Sequence, residues 1–149
     1  MSIVNLMLVT GFWLLVSGFS ASQPGGNLQL TISNIDPVEG DLYIAVYNSE
    51  ETYMEEEQTA FRKIVAVESE PQLIILTDIP AGEYAISVFQ DLNSNAELDT
   101  KGFGFPAEPF GFSNDARGRF GPPSFEKAKF THEGNTEIEI ALVNSKKNK

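Results

Sequence analysis

The chain has 149 residues, of which 42% are hydrophobic, and it carries 21 Asp and Glu residues against 10 Lys and Arg residues. A chain of this length closes one hydrophobic core, so we predict a single folded domain. The net charge of -11 disfavours the basic surface that nucleic acids and anionic membranes require, and we expect neither as a partner. Because the chain has no cysteine, disulfides, thiolate metal sites and cysteine nucleophiles are excluded.

The N-terminal stretch is typical of a secretory signal peptide. Residues 3–19 are mostly apolar and uncharged, and they lead into the small residues Ser20, Ala21 and Ser22. We predict a signal peptide over residues 1–22, a folded domain over residues 23–143 and a basic C-terminal tail over residues 144–149. The protein would then be periplasmic or secreted, with no stable membrane insertion after cleavage. An uncleaved membrane anchor stays open, because the stretch approaches the roughly 17–25 residues that span a bilayer.

After the leader, hydrophobic residues recur with the period of two that is typical of β-strands. No pattern is long enough for a helix that connects parallel strands, so we predict an all-β fold, a single antiparallel β-sandwich of about seven strands with a long Gly/Phe/Pro-rich loop. A short helix over residues 48–57 and an exposed loop there both stay open. The predicted strands cover residues 28–32, 41–48, 61–67, 73–77, 84–89, 125–131 and 137–143.

Residues 91–99, the Asx loop, place oxygen-bearing side chains at alternate positions, which is how a loop wraps a calcium ion. The sequence therefore predicts a structural Ca²⁺ site with weak affinity, on the order of 10⁻⁴–10⁻³ M. An Asx-rich turn without metal stays open, because Ala96 and Gly102 stand where an EF-hand has glycine and a closing acid. The candidate metal ligands are Asp91, Asn93, Asn95, the backbone carbonyl of Glu97, and Asp99.

Residues 102–124, the Phe-rich segment, combine five phenylalanines with glycines and prolines. The rings either pack against the sheet, or one or two stay exposed as a platform for a sugar, a peptide or an apolar partner. Glu108 or Asp115 would complete the calcium shell and so hold this segment on the domain. The candidate ligand-binding residues are Glu108, Phe110, Phe112, Asn114, Asp115 and Arg117, with Arg119 as a further polar contact.

Few residues suit catalysis. His132 is the single histidine, which excludes a multi-histidine zinc site, and a surface or strand-end position is expected for it. Carboxylate chemistry stays open, with Glu108 and Asp115 as the pair to test. We expect a non-enzymatic exported module that binds an envelope ligand or protein, or scaffolds one. A small carboxylate-dependent hydrolase acting on envelope carbohydrate is the alternative.

Three stretches carry a resemblance to known families. The turn and strand of Pro80-Ala-Gly82-Glu-Tyr84 resemble those of transthyretin-like and carboxypeptidase-regulatory-like sandwich modules. The stretch from Asp91 to Arg117, which holds the Asx loop and Gly104-Phe-Pro-Ala-Glu108, resembles, together with Phe120-Gly-Pro-Pro-Ser-Phe125, an exported bacterial family, domain of unknown function 2141. The resemblance covers about Leu28 to Leu142 and implies a periplasmic or secreted sandwich. It implies no activity.

Overall fold

The computed structural model describes residues 25–144. The predicted signal peptide, and the predicted tail beyond residue 144, lie outside the described residues. Within them the fold is all-β, as predicted, and no helix among residues 25–144 has the length and apolarity to cross a membrane. The strands are β1 Gly26–Ser33, β2 Asp41–Tyr47, β3 Phe61–Ala66, β4 Gln72–Ile79, β5 Gly82–Asp91, β6 Thr100–Lys101, β7 Phe105–Pro106, β8 Phe110–Phe112, β9 Phe130–His132 and β10 Thr136–Ala141.

Two sheets pack face to face. The smaller sheet has the order β10-β1-β4, with β1 parallel to β10 and antiparallel to β4. The larger sheet has the order β3-β2-β5-β8, and β9 pairs antiparallel with the start of β5. Strands β6 and β7 form a separate short hairpin. The parallel β1–β10 pair was not expected from the sequence, which predicted a purely antiparallel sandwich.

The core lies between the two sheets and follows the predicted alternation. Leu28, Leu30 and Ile32 of β1 are fully buried, and the same core contains the buried residues Leu42, Ile44 and Val46 of β2 and Ile86 and Val88 of β5. The predicted turn before β5 is confirmed, and Tyr84 extends it by donating a hydrogen bond from its hydroxyl to the Pro80 carbonyl at 2.9 Å. This bond fixes the entry of β5, the strand that carries the Asx loop at its other end.

Of the two alternatives left open for residues 48–57, the structure has the loop, a series of turns that runs into the short 3₁₀ helix Glu56–Gln58. One local prediction needs correction. Residues 125–131 divide into a short helix, α1 (Phe125–Ala128), and strand β9. The physical reason is packing: Phe125 and Ala128, three residues apart, both face a second apolar cluster, which a strand could not achieve.

That second cluster covers one end of the larger sheet on the face away from the core. Tyr53 packs edge-on against Tyr47 and Phe125, at centroid distances of 5.3 and 5.7 Å. Burial, together with the neighbouring Tyr47, raises the pKa of Tyr53 to about 12, so the phenol stays protonated in the neutral range. Buried Ser113 joins the cluster to the sheet, because its hydroxyl accepts from Ile86 N–H and donates to the Ala128 carbonyl.

Candidate functional site

The rest of that outer face is open and forms the floor of a cavity. Pairing puts Tyr43 of β2 beside Ile64 of β3 and Phe89 of β5, and Phe89 beside Phe110 of β8. Because side chains of paired residues point to the same face, these four residues form one apolar row across the sheet. The Tyr43 and Phe89 rings stack with centroids 4.8 Å apart and planes at 14°.

The Phe-rich segment lies beside this floor, and together they line an open cavity of about 890 Å³. We call it the aromatic cavity. Its floor is the outer face of β3, β2, β5 and β8, and its wall is formed by residues 96–106 and 116–122. A volume near 900 Å³ lies within the ~300–1,000 Å³ that is typical of small-molecule sites, so one small ligand could be held between floor and wall.

Three phenylalanines of the wall are exposed to solvent. The exposed fractions are 103% for Phe103, 60% for Phe105 and 88% for Phe120. Phe103 also has a φ of 65° and lies between two glycines. A bulky residue rarely adopts this left-handed conformation, and such local strain is concentrated at functional segments. The chain therefore presents these rings to water at the mouth of the cavity at an energetic cost.

At one end of the cavity lies the Asx loop, which is organised around Asp91. The carboxylate of Asp91 is fully buried and accepts hydrogen bonds from four backbone N–H groups. Its Oδ1 accepts from Asn93, Ser94 and Asn95, at 3.2, 2.7 and 3.4 Å, and its Oδ2 accepts from Ala96 at 2.8 Å. A carboxylate that satisfies four donors holds the loop in one conformation.

The other predicted metal ligands also bond within the loop. The side-chain amides of Asn93 and Asn95 each donate to one oxygen of Asp99. Their side-chain oxygens accept from the N–H groups of Asn95 and Glu97. Among residues 25–144 no three His, Cys, Asp or Glu side chains are placed to hold a metal together. The contacts shown are thus those of an Asx-rich turn, and the calcium site stays a prediction.

Glu108 connects the Asx loop to the Phe-rich segment. Its side chain is buried, and its Oε1 accepts from Leu92 N–H at 2.8 Å while its Oε2 accepts from Asp99 N–H at 3.1 Å. The sequence predicted that Glu108 or Asp115 holds the segment through an ion. The structure shows that the Glu108 carboxylate contacts the loop backbone directly at both ends of the turn.

The predicted ligand-binding residues divide into two groups. Phe110, Phe112 and Arg117 line the aromatic cavity. Asn114 instead donates to the carbonyls of Lys127 and Lys129, and Asp115 accepts from Ala141 N–H. Asn114, Asp115 and Glu108 do not line the cavity, and their side chains hold the Phe-rich segment to the rest of the domain.

The two candidate phenylalanines differ in exposure from other rings of the segment. Phe112 is buried and Phe110 is half-buried, which matches a packed segment. The exposed rings are Phe103, Phe105 and Phe120. A platform for a ligand therefore stays a prediction, and it would involve rings other than the two candidates.

Several cavity residues were missed in the sequence. Tyr43, Ile64 and Phe89 were assigned to strands but not to a site. A signal was available on the second face of β2 and β5. In a sheet with one face in water, the residues that alternate with the core residues are normally polar, but in this chain several of them are aromatic. Phe103, Phe105 and Phe120 carried no comparable signal, because ring exposure in an irregular segment depends on tertiary packing.

His132 lies at the end of β9, as expected, but is fully buried rather than at the surface. Its Nδ1 lies 2.8 Å from the Thr136 hydroxyl, and its Nε2 lies 3.1 Å from the Ile79 carbonyl. Since a carbonyl only accepts, Nε2 donates to Ile79. Both ring nitrogens are engaged in holding β9 to the turn before β5.

Fold and site together define a class, a β-sandwich with an aromatic cavity on the outer face of one sheet. The family described as "Uncharacterized protein conserved in bacteria (DUF2141)" matches residues 30–140. The chain belongs to this family. Searches of the curated proteins and of the solved structures each gave no significant match.

Proposed function

We propose that the protein is an exported, non-enzymatic binding module of the cell envelope, and that its aromatic cavity holds a small molecule with a large apolar surface. The observation that carries the proposal is the placement of Phe103, Phe105 and Phe120, exposed, around the mouth of a cavity whose floor is already aromatic. Clustered exposed rings are unfavourable in a soluble protein unless a ligand covers them. The apolar leader supports export.

The hydrogen bonds of Glu108 and Asp115 favour a binding role over hydrolysis. Glu108 and Asp115 were the pair considered for carboxylate chemistry. Both accept backbone N–H groups, and neither lines the cavity. A general acid or base needs an oxygen directed at the substrate, whereas these carboxylates are committed to the backbone.

We also propose that the Asx loop binds calcium weakly and so stiffens the wall of the cavity. Ala96 supports this, because it stands at position 6 of the loop with a φ of 64°, the position at which an EF-hand uses glycine for its sharp turn. Two acids, Asp91 and Asp99, would supply the charge, and the Asn side chains would turn their oxygens inward. So few formal charges make low affinity the expected result.

The cavity is tested with N-phenyl-1-naphthylamine, a neutral apolar dye that fluoresces when it leaves water. We expect saturable binding to one site. Phe103→Ser combined with Phe120→Ser should weaken the affinity about tenfold, because each ring gives up part of the apolar contact area that dye binding buries. The measurement is a fluorescence titration of wild type and variant at equal protein concentration.

The control is Leu73→Ser, which removes an exposed apolar side chain from β4 in the other sheet. This variant should bind the dye as wild type does. Equal weakening by the Leu73 and the phenylalanine variants would mean that the dye reports general surface hydrophobicity, and a wild type that does not bind would refute the proposed function.

The calcium site is tested by thermal unfolding in EDTA and in 5 mM calcium. With a dissociation constant near 10⁻⁴–10⁻³ M, the ion should add about 1–2 kcal/mol to the free energy of unfolding and raise the midpoint by roughly 3–8 °C. The rise should vanish in Asp99→Ala, which loses an acid of the loop. Midpoints that agree within a degree in the two buffers would leave the loop as a metal-free turn.

A further inference from the structure

The charges around the aromatic cavity have the opposite sign to the protein as a whole. The chain has three arginines, Arg62, Arg117 and Arg119, and all three line the cavity. They come from different elements, since Arg62 lies in β3 and the other two lie in the Phe-rich segment. The fold thus brings together arginines that are 55 to 57 residues apart in the chain.

No Asp or Glu side chain that the structure describes lines the cavity, although the chain carries 21 of them. In a protein of net charge -11, a scattered arginine would be expected to face acids. Clefts lined by one sign of charge focus the electrostatic potential and concentrate ligands of the opposite sign. The cavity is therefore a local patch of positive charge on an acidic protein.

The two arginines of the Phe-rich segment are available for such an anion. Arg117 and Arg119 are exposed, and no carboxylate that the structure describes pairs with either. Arg117 makes a long contact of 3.5 Å to the Ala116 carbonyl, and the Arg119 guanidinium lies 5.3 Å from the centre of the Phe120 ring. The N–H donors of a guanidinium point outward in its own plane. A guanidinium that contacts a ring with its face can therefore still donate to carboxylate, sulfonate or phosphate oxygens.

We infer that the ligand is a small amphipathic anion, whose apolar body lies on the Tyr43–Phe89 stack and whose charged group meets Arg117 and Arg119. This inference rests on the proposed function, because it names the chemistry of the ligand of the same cavity. The stacked rings supply apolar contact, and the arginines supply charge-assisted hydrogen bonds.

A free small molecule fits the site better than a membrane surface. The cavity is concave, with a volume of about 890 Å³, which suits one molecule. An anionic bilayer would also face the many acids outside the cavity, and their repulsion would oppose docking. An acidic segment of a second copy of this chain is the competing occupant, and the experiment includes it.

The test uses two dyes that differ by one charged group. 8-Anilinonaphthalene-1-sulfonate is the sulfonated form of N-phenyl-1-naphthylamine, so both have the same rings and one is an anion. Wild type should bind the anionic dye more tightly than the neutral one despite its net negative charge. Arg117→Gln combined with Arg119→Gln should weaken binding of the anionic dye about tenfold and that of the neutral dye less than about twofold.

The control is Lys127→Gln, which removes one positive charge from an exposed position in α1 that does not line the cavity. Arg117→Gln alone, which also removes one charge, is the variant it is matched with. Lys127→Gln should leave both affinities unchanged, so a weakening equal to that of Arg117→Gln would show a general charge effect and overturn the inference. A different outcome is that binding of the neutral dye depends on Phe103 and Phe120, while binding of the anionic dye does not depend on Arg117 and Arg119. This result would overturn the inference of an anionic ligand and leave the proposed function standing.

Failure of both dyes to bind would refute the proposed function itself. A dimer in sedimentation that the arginine variants dissociate would assign the cavity to a second copy and also overturn the inference.

Discussion

Replacing Asp91 by alanine is expected to lower the free energy of unfolding by about 3 kcal/mol, the largest effect of any single polar substitution in the domain. The carboxylate is fully buried and accepts four backbone N–H groups. Alanine would leave these donors without a partner next to the end of β5. Asp91→Asn keeps one oxygen acceptor and should cost less. Urea denaturation of both variants gives the comparison.

Glu97→Ala is the matched control for Asp91, because it removes an exposed carboxylate from the same loop. Its effect should stay within about 0.5 kcal/mol, as for other surface substitutions. If Asp91→Ala and Glu97→Ala unfold at the same urea concentration, the four hydrogen bonds of Asp91 do not stabilise the native loop, and the account of the loop given above is wrong.

Replacing Glu108 by alanine should have two effects at once. Stability should fall by about 2–3 kcal/mol, because the N–H groups of Leu92 and Asp99 lose a buried acceptor. Affinity for N-phenyl-1-naphthylamine should also fall, because Glu108 holds the Phe-rich segment beside the loop and that segment forms the cavity wall. Dye titration well below the unfolding midpoint separates the second effect from the first.

Two comparisons make the Glu108 prediction specific. Glu133→Ala removes an exposed acid near the other end of the larger sheet and should change neither property. Ser113→Ala removes a different buried contact, the one between β5 and α1, and should destabilise the protein with a smaller effect on the dye. If Glu108→Ala is destabilised but binds the dye as wild type does, the segment does not depend on Glu108 for its position.

The strands were predictable because hydrophobic residues occupy one face of the core strands at every second position. In β2, Leu42, Ile44 and Val46 occupy one face at every second position, and burying that face decides both strand type and register. The turn before β5 was equally predictable, since Pro80 and Gly82 restrict the backbone locally. Local patterns therefore accounted for most of the sandwich.

The regions that the sequence left open or predicted wrongly are those where distant contacts decide. For residues 48–57 a helix and a loop both stayed open, and the structure has turns, in which Tyr53 packs on Tyr47 and Phe125. Residues 125–131 alternate well enough for a strand, yet Phe125 and Ala128 both face the second cluster. The local sequence does not show which distant side chains will pack against Tyr53, Phe125 and Ala128.

Part of the site was predictable and part was not. The sequence named Glu108 or Asp115 as the acid that would hold the Phe-rich segment through an ion. The structure shows Glu108 bonded to the N–H groups of Leu92 and Asp99, and a sequence alone does not distinguish these two roles of a carboxylate. The convergence of Arg62 with Arg117 and Arg119 could not be read from spacing, since it depends on the Phe-rich segment folding back over β3.

The most direct test of the aromatic cavity is a nuclear magnetic resonance titration. N-phenyl-1-naphthylamine is added to the protein, and the change in chemical shift of each backbone amide is measured. The shifts that move should be confined to β3, β2, the second half of β5, β8, and residues 96–106 and 116–122, which form the floor and wall of the cavity. Shifts that spread over both sheets, or that concentrate around exposed Leu73 and Ile75 of β4, would contradict this prediction.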